Sequence, residues 1–190
     1  DMGRIDPDRA YKIIKGWDWG NSGSPDIYHD VETRRNSVGY RSNVTRAAMA
    51  LIEDGQNAKA EELLDLGMEK MPLEFFGHYS MIEPFVRGYY EIGNNKKAAQ
   101  LLDAVILKYR DEIDYYQSLP LEEQAQIGQE IITAIERYRG LVQTALDYED
   151  DPEIKKQFNV FNNYVTSFPR FYNEEEQLKM PGAQETNDLM

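Results

Sequence analysis

Two stretches of the chain repeat each other at a fixed distance. Residues 50–65, ALIEDGQNAKAEELLD, and residues 88–103, GYYEIGNNKKAAQLLD, agree at eight of sixteen positions without a gap. Each shared residue returns 38 positions later, as Gly55 does in Gly93. Self-similarity with a period of about 20 to 50 residues is typical of stacked structural repeats. The sequence therefore predicts two copies of one supersecondary unit.

The glycine of each copy separates two helical patterns. Apolar residues recur at spacings of three and four before Gly55, and the same spacing resumes after it. Gly55 and Gly93 suit a helix end that needs a positive φ, where a side chain would cost energy. Asn57 and Asn95 then suit an N-cap or the first turn of the next helix. Each copy is predicted to be an antiparallel helix hairpin.

Small and bulky residues follow a defined order within each copy. In the first copy these positions hold Val44, Ala47, Ala48, Leu51, Gly55, Ala60, Leu64, Gly67 and Pro72. This order resembles the tetratricopeptide repeat. The second copy, which starts at Tyr79, departs from it at Arg110, where the family has proline, and at Pro84, which should kink or locally open its first helix. The resemblance implies two repeats over residues 41–110, wound into a right-handed superhelix.

The other segments are predicted to pack around these repeats in an all-α fold. Residues 1–40 would form a short helix and an aromatic loop packed on the first repeat. After Pro120, apolar residues at helical spacing predict one long amphipathic helix to about Tyr148, and a further helix follows. Residues 111–168 would then cap the stack, as terminal units of repeat arrays do. Residues 169–190 form a polar tail with Pro and Gly, which predicts a loose segment.

Composition argues against several kinds of function. The 190-residue chain carries a net charge of -13, whereas phosphate contacts need clustered Lys and Arg, so nucleic-acid binding is not expected. The lack of cysteine removes disulfides, thiolate metal sites and cysteine nucleophiles together. No apolar run approaches the roughly 20 residues of a membrane-spanning helix.

Motifs for catalysis are also lacking in the sequence. His29 and His78 are the only histidines, and they are not paired at metal-ligand spacing. No glycine-rich phosphate-binding motif occurs. Asp6 and Asp8 flank Pro7 just before a predicted helix, where capping is the better interpretation than metal binding. The sequence predicts no catalytic residue, no metal site and no cofactor in this chain.

The inner face of the predicted repeats is one candidate binding surface. Its central positions would be Thr45, Met49, Glu53, Glu83, Arg87 and Tyr90. Such a mixture of polar and apolar groups suits an extended peptide or a neighbouring domain. The groove could equally be filled by the N-terminal segment.

The aromatic loop is the second candidate surface. Trp17, Trp19 and Tyr28 lie among short polar residues, so they could stack on a sugar ring and hydrogen-bond its hydroxyl groups. In the alternative interpretation these rings plug the open end of the first repeat. The plug is the preferred interpretation, because a solenoid end exposes apolar surface that something must cover.

Short motifs along the chain carry a second resemblance. They are WDWGN, PDIYHDVETRR, YRSNVTRAAMALIEDGQNAKAEELLDLGMEKMP, MIEPFVRGYYEIGNNKKAAQLLD and DYYQSLP, in this order. The order is similar to the C-terminal soluble region of a bacteroidete family of multispanning membrane proteins, whose membrane domain is similar to protein O-mannosyltransferases.

This second resemblance implies where the chain acts. It covers about residues 10–145 and implies the periplasmic part of a larger envelope protein, with any transferase activity in the absent membrane domain. The expected function is non-catalytic interaction or scaffolding, with a protein, a peptide or the parent's own membrane domain as partner. The alternative is a carbohydrate- or acceptor-binding accessory of that transferase, with a glycan as ligand.

Overall fold

The computed structural model describes residues 5–172, and this part of the chain is helical, with no β-strand. The helices are α1 (Pro7–Lys15), α2 (Val31–Glu53), α3 (Asn57–Lys70), α4 (Leu73–Phe76), α5 (Glu83–Glu91), α6 (Asn95–Ser118), α7 (Leu121–Gln126), α8 (Gly128–Leu146) and α9 (Pro152–Ser167). A 3-10 turn, Tyr79–Met81, precedes α5. The predicted all-α class is confirmed. Of the tail predicted to be loose, residues 173–190 lie outside the described part of the chain.

The chain divides into two compact units, Asp1–Leu102 and Asp103–Met190, and α6 contributes residues to each of them. In the first unit α2 and α3 form a hairpin, with α1 and α5 packed on it. Its fully buried apolar side chains include Val44, Ala48, Leu51, Ala60, Leu63, Leu64, Phe85 and Val86. A methyl group at Gly67 would lie 2.7 Å from the Phe85 ring, so glycine is what lets α3 and α5 approach closely at this point.

The turn glycines have the predicted conformation. Gly55 has a φ of 74° and Gly93 a φ of 77°. In each copy the glycine N–H donates to the carbonyl three residues earlier over 2.9 Å, and the next N–H donates to the carbonyl five residues earlier over 2.8 Å. This pair of bonds is a Schellman motif, which satisfies carbonyls at the helix end. Asn57 and Asn95 take the first helical position, one of the two predicted roles.

Aspartate side chains cap the N-terminal ends of α1 and α2. Asp6 caps α1, because its Oδ1 accepts from the Arg9 N–H at 3.0 Å, in agreement with the predicted capping role. Asp30 caps α2 in the same way, with its Oδ1 2.7 Å from the Thr33 nitrogen. The helix α2 therefore extends across the boundary predicted at residue 40, since residues 31–40 belong to the same helix as residues 41–53.

The segment predicted to form the first helix of the second copy is interrupted next to Pro84. The sequence predicts a helix that runs through Pro84, whereas α5 begins at Glu83 and holds Pro84 in its first turn. A proline costs little there, because the first N–H groups of a helix have no intrahelical acceptor. The 3-10 turn takes up the residues before it.

The long capping helix predicted after Pro120 is divided in two. Ile127, with a φ of -113° and a ψ of 27°, interrupts the helix between α7 and α8. The Phe171 ring covers the next residue, Gly128, where a methyl group would lie only 2.7 Å from that ring. Contact with a distant residue thus accompanies a break that helical periodicity does not reveal.

The second unit is built on α8 and α9, which pack against each other. Fully buried side chains include Ile131, Ile135, Tyr138, Val142 and Phe161. The Tyr138 hydroxyl donates to Gln157 Oε1 over 2.6 Å, so the polar tip of this buried ring is satisfied. Between residues 5 and 172, no helix has the length and apolar character needed to span a membrane.

The core position of Ala60 leads to a stability prediction. Ala60 is fully buried, whereas Ala58, on the same helix, is exposed. We expect Ala60→Leu to lower the free energy of unfolding by about 1 to 3 kcal/mol, because overpacking forces neighbouring side chains to shift. Ala58→Leu is the matched control and should have little effect. Urea denaturation of both variants provides the measurement, and equal midpoints would contradict close packing at Ala60.

Candidate functional site

A cavity of about 340 Å³ lies between the loop after α1, the start of α2 and the α3–α4 turn, and we call it the aromatic cavity. The loop contributes Trp17, Asp18, Trp19 and Ser22; α2 contributes Thr33, Asn36, Ser37 and Tyr40; Met71 and Phe76 complete the lining. Three of its side chains are the two tryptophans of the chain and a tyrosine, which can offer flat apolar surface to a ligand.

The three rings form one continuous aromatic wall. The ring centroid of Trp17 lies 5.3 Å from that of Trp19 and 5.2 Å from that of Tyr40, and both pairs pack edge to face. Trp19 and Tyr40 are 5.8 Å apart. Both tryptophans are only half-buried, and Tyr40 is exposed. The rings therefore pack on one another, as in the plug interpretation, and also border an open cavity, as in the sugar-platform interpretation.

The third aromatic residue differs from the predicted one. Tyr28 is 85% exposed and lies outside the cavity lining, whereas Tyr40 contacts both tryptophans. Tyr40 and Asn36 were not among the predicted site residues, because the repeat pattern places them before the first repeat helix. Thr33, Asn36 and Tyr40 recur at helical spacing, so they share a face of α2 once the helix is known to start at Val31.

The loop that carries the tryptophans is fixed to the end of α3. The Ser22 hydroxyl donates to the Lys70 carbonyl over 2.7 Å. Gly23 lies so close to α3 that a methyl group there would be 2.2 Å from the Glu69 carbonyl oxygen. These two contacts fix the loop that carries the tryptophans, and glycine at position 23 is a steric requirement.

Several polar groups of the cavity have no protein partner within residues 5–172. Trp19 Nε1 is buried and donates to no acceptor. The Asn36 amide and the Tyr40 hydroxyl also make no hydrogen bond in this part of the chain. In contrast, the Ser22 and Ser37 hydroxyls are already bonded to backbone carbonyls. Since buried polar groups are usually hydrogen-bonded, the unpaired indole nitrogen is a feature that a bound oxygen atom would satisfy.

Arg41 contacts Met71 and Phe76, two residues that line the aromatic cavity. Its side chain is fully buried, and its guanidinium donates to the Met71 carbonyl at 2.7 Å and to the Gly77 carbonyl at 2.6 Å. Within residues 5–172 no carboxylate pairs with it, and burial lowers its pKa to about 10. The two carbonyls belong to the ends of α3 and α4, where helix dipoles favour positive charge. The pKa of His78 is also lowered. The main cause is burial, and the nearby positive charges of Arg41 and Arg34 add to it.

A second cavity, of about 730 Å³, runs along another face of α2, and we call it the α2 groove. Thr45, Met49 and Glu53 line it, so three of the predicted inner-face residues lie together. The Thr45 hydroxyl bonds to the Arg41 carbonyl over 3.0 Å. Ile5 and Pro7 also border the groove, so the N-terminal segment lines part of it.

The other predicted inner-face residues do not line the α2 groove. Glu83 and Arg87 are exposed on α5, and Arg87 Nε lies 3.6 Å from Glu91 Oε1. Tyr90 is buried, with 4% of its surface exposed. From the second copy, it is Met81 of the 3-10 turn and Pro84 of α5 that line the groove.

The described residues contain no group of three His, Asp or Glu side chains placed to hold a metal ion. His29 instead packs on Phe76, with ring centroids 4.4 Å apart.

Comparison of the chain with protein-family models, with curated protein sequences and with solved structures finds no match.

The docking of the tryptophan loop leads to a second prediction. Gly23→Ala places a methyl group against the Glu69 carbonyl, so the loop should lift and expose the tryptophans further. We expect a red shift of intrinsic fluorescence and a loss of about 1 to 3 kcal/mol of stability, as in other overpacked sites. Gly39→Ala is the control, because a methyl group there meets nothing within 4 Å. An emission spectrum identical to that of the unchanged protein would contradict a tightly docked loop.

Proposed function

We propose that this chain is a non-catalytic interaction domain built from tetratricopeptide-like repeats in a right-handed superhelix. Contacts that recur between the copies support this proposal. Lys59 Nζ lies 5.6 Å from the Tyr11 ring centroid and bonds to Asp8, while its counterpart Lys97 lies 5.7 Å from the Tyr89 ring centroid and bonds to Asp65. The repetition thus extends from the sequence to the lysine contacts and the Schellman bonds.

The α2 groove is proposed as the docking surface for a protein or peptide. The observation that carries this proposal is that Thr45, Met49 and Glu53 line one large open cavity. Met49 and Pro84 offer apolar contact, and Arg46 and Glu53 offer charges of both signs. An extended peptide, with alternating side chains and a polar backbone, suits such a mixed surface.

The larger setting is a proposal that rests on the ordered motifs from WDWGN to DYYQSLP. We place the chain on the periplasmic side of the inner membrane, as part of a protein with a glycosyltransferase-like membrane domain, and that membrane domain would itself be a partner. The complete gene tests this setting. Several membrane-spanning segments encoded upstream would support it, and a lipoprotein start directly before this chain would contradict it.

A second candidate function is binding of a carbohydrate or glycosyl acceptor on behalf of the same parent protein. It is favoured by the half-exposed tryptophans that border the aromatic cavity. A plug with no further role would not need an open cavity beside its rings.

Peptide docking in the α2 groove can be tested by selection from a random-peptide phage library. We expect enriched peptides whose affinity falls at least tenfold, about 1.4 kcal/mol, with Met49→Asp, because a carboxylate replaces the apolar contact in the groove. Leu107→Asp is the control, since Leu107 is an exposed apolar residue outside the groove. Failure to enrich any peptide, or equal binding by the Met49→Asp variant, would contradict docking in the α2 groove.

A further inference from the structure

We propose that the aromatic cavity binds the ring of an uncharged sugar, which contacts Tyr40 and Asn36 as well as the two tryptophans. This inference rests on the second candidate function and does not depend on peptide docking in the α2 groove. It replaces Tyr28 by Tyr40 as the third aromatic contact and adds hydrogen-bonding residues of α2 to the site.

The size and shape of the cavity suit a small flat ligand. Its volume of about 340 Å³ lies near the lower end of the roughly 300 to 1,000 Å³ typical of ligand pockets. Trp17, Trp19 and Tyr40 meet edge to face and retain accessible surface. The C–H face of a sugar ring is apolar and can pack on such surface, while its hydroxyl groups point to the ring edge.

The unpaired polar groups match the edge of such a ring. Trp19 Nε1 can only donate, so it needs an acceptor such as a hydroxyl oxygen. The Asn36 amide can both donate and accept, and the Tyr40 hydroxyl can do the same. Because a hydroxyl group both donates and accepts, one ligand with several hydroxyl groups would satisfy all three side chains.

Other ligand classes fit the cavity less well. The rings lie 5.2 to 5.8 Å apart and contact one another, so they leave no slot for a cation between them. No lysine or arginine lines the cavity, and Asp18 does, which disfavours phosphates and acidic sugars. A purely apolar ligand would leave the Trp19 Nε1 group without an acceptor.

The two tryptophans of the chain both lie in the cavity, so their indole N–H signals report directly on binding. We would titrate the isotope-labelled 190-residue chain with cellobiose, maltose and mannobiose and follow these two signals by NMR. Glucuronic acid and a proline-rich peptide serve as comparison ligands. We expect at least one disaccharide to shift both indole signals in a saturable manner, with the Trp19 signal moving to a hydrogen-bonded position.

Two variants separate the predicted contact from its alternative. Tyr40→Ala should weaken binding about tenfold or more, because it removes a stacking surface and a hydroxyl group. Tyr28→Ala should leave binding unchanged, since Tyr28 lies outside the cavity. The dispersion of the backbone amide signals shows in the same spectra that each variant is folded.

Each other outcome overturns the inference. It fails if no disaccharide shifts the indole signals, if glucuronic acid or the proline-rich peptide alone shifts them, or if Tyr28→Ala weakens binding as much as Tyr40→Ala. Loss of peptide binding to the Met49→Asp variant, with no sugar bound by the unchanged chain, would retain peptide docking in the α2 groove and reject only the sugar site.

Discussion

The buried guanidinium of Arg41 is the interaction on which the first unit most depends. It joins α2 to the carbonyl ends of α3 and α4, so one side chain fixes three elements around the aromatic cavity. Its charge is balanced by carbonyl dipoles and not by a carboxylate among residues 5–172. Removing it would leave the buried Met71 carbonyl without this donor, which costs more than the bond itself contributes. The positions of Met71 and Phe76 in the cavity wall follow from this constraint.

The helix α2 serves three purposes. One face supplies Val44, Ala48 and Leu51 to the core, a second lines the α2 groove, and the N-terminal part carries Asn36 and Tyr40 into the aromatic cavity. Because a single rigid helix bears both cavities, their lining residues are held in fixed register along one axis. Binding on this domain would thus need little rearrangement, which favours affinity over adaptability.

Features set by local geometry were predictable from the sequence, and features set by distant contacts were not. Gly55 and Gly93 revealed their helix ends because only glycine takes their positive φ without strain. The break at Ile127 was not predicted. It accompanies the contact of Gly128 with the ring of Phe171, a residue distant in the sequence. Arg41 was equally hidden, since arginine is rarely fully buried. The sequence indicated the two tryptophans as candidate site residues. It did not indicate Tyr40, because the start of α2 at Val31 was not predicted.

The aromatic cavity is open and lies at the end of the α2–α3 hairpin. Acrylamide quenching of intrinsic fluorescence tests this most directly, because Trp17 and Trp19 are the only tryptophans. For the chain without added ligand we expect quenching that is clearly weaker than for free tryptophan but not abolished, because both rings are half-buried. Fully protected, blue-shifted emission would mean a closed plug, and quenching equal to that of free tryptophan would mean that the loop does not dock; either result contradicts the account.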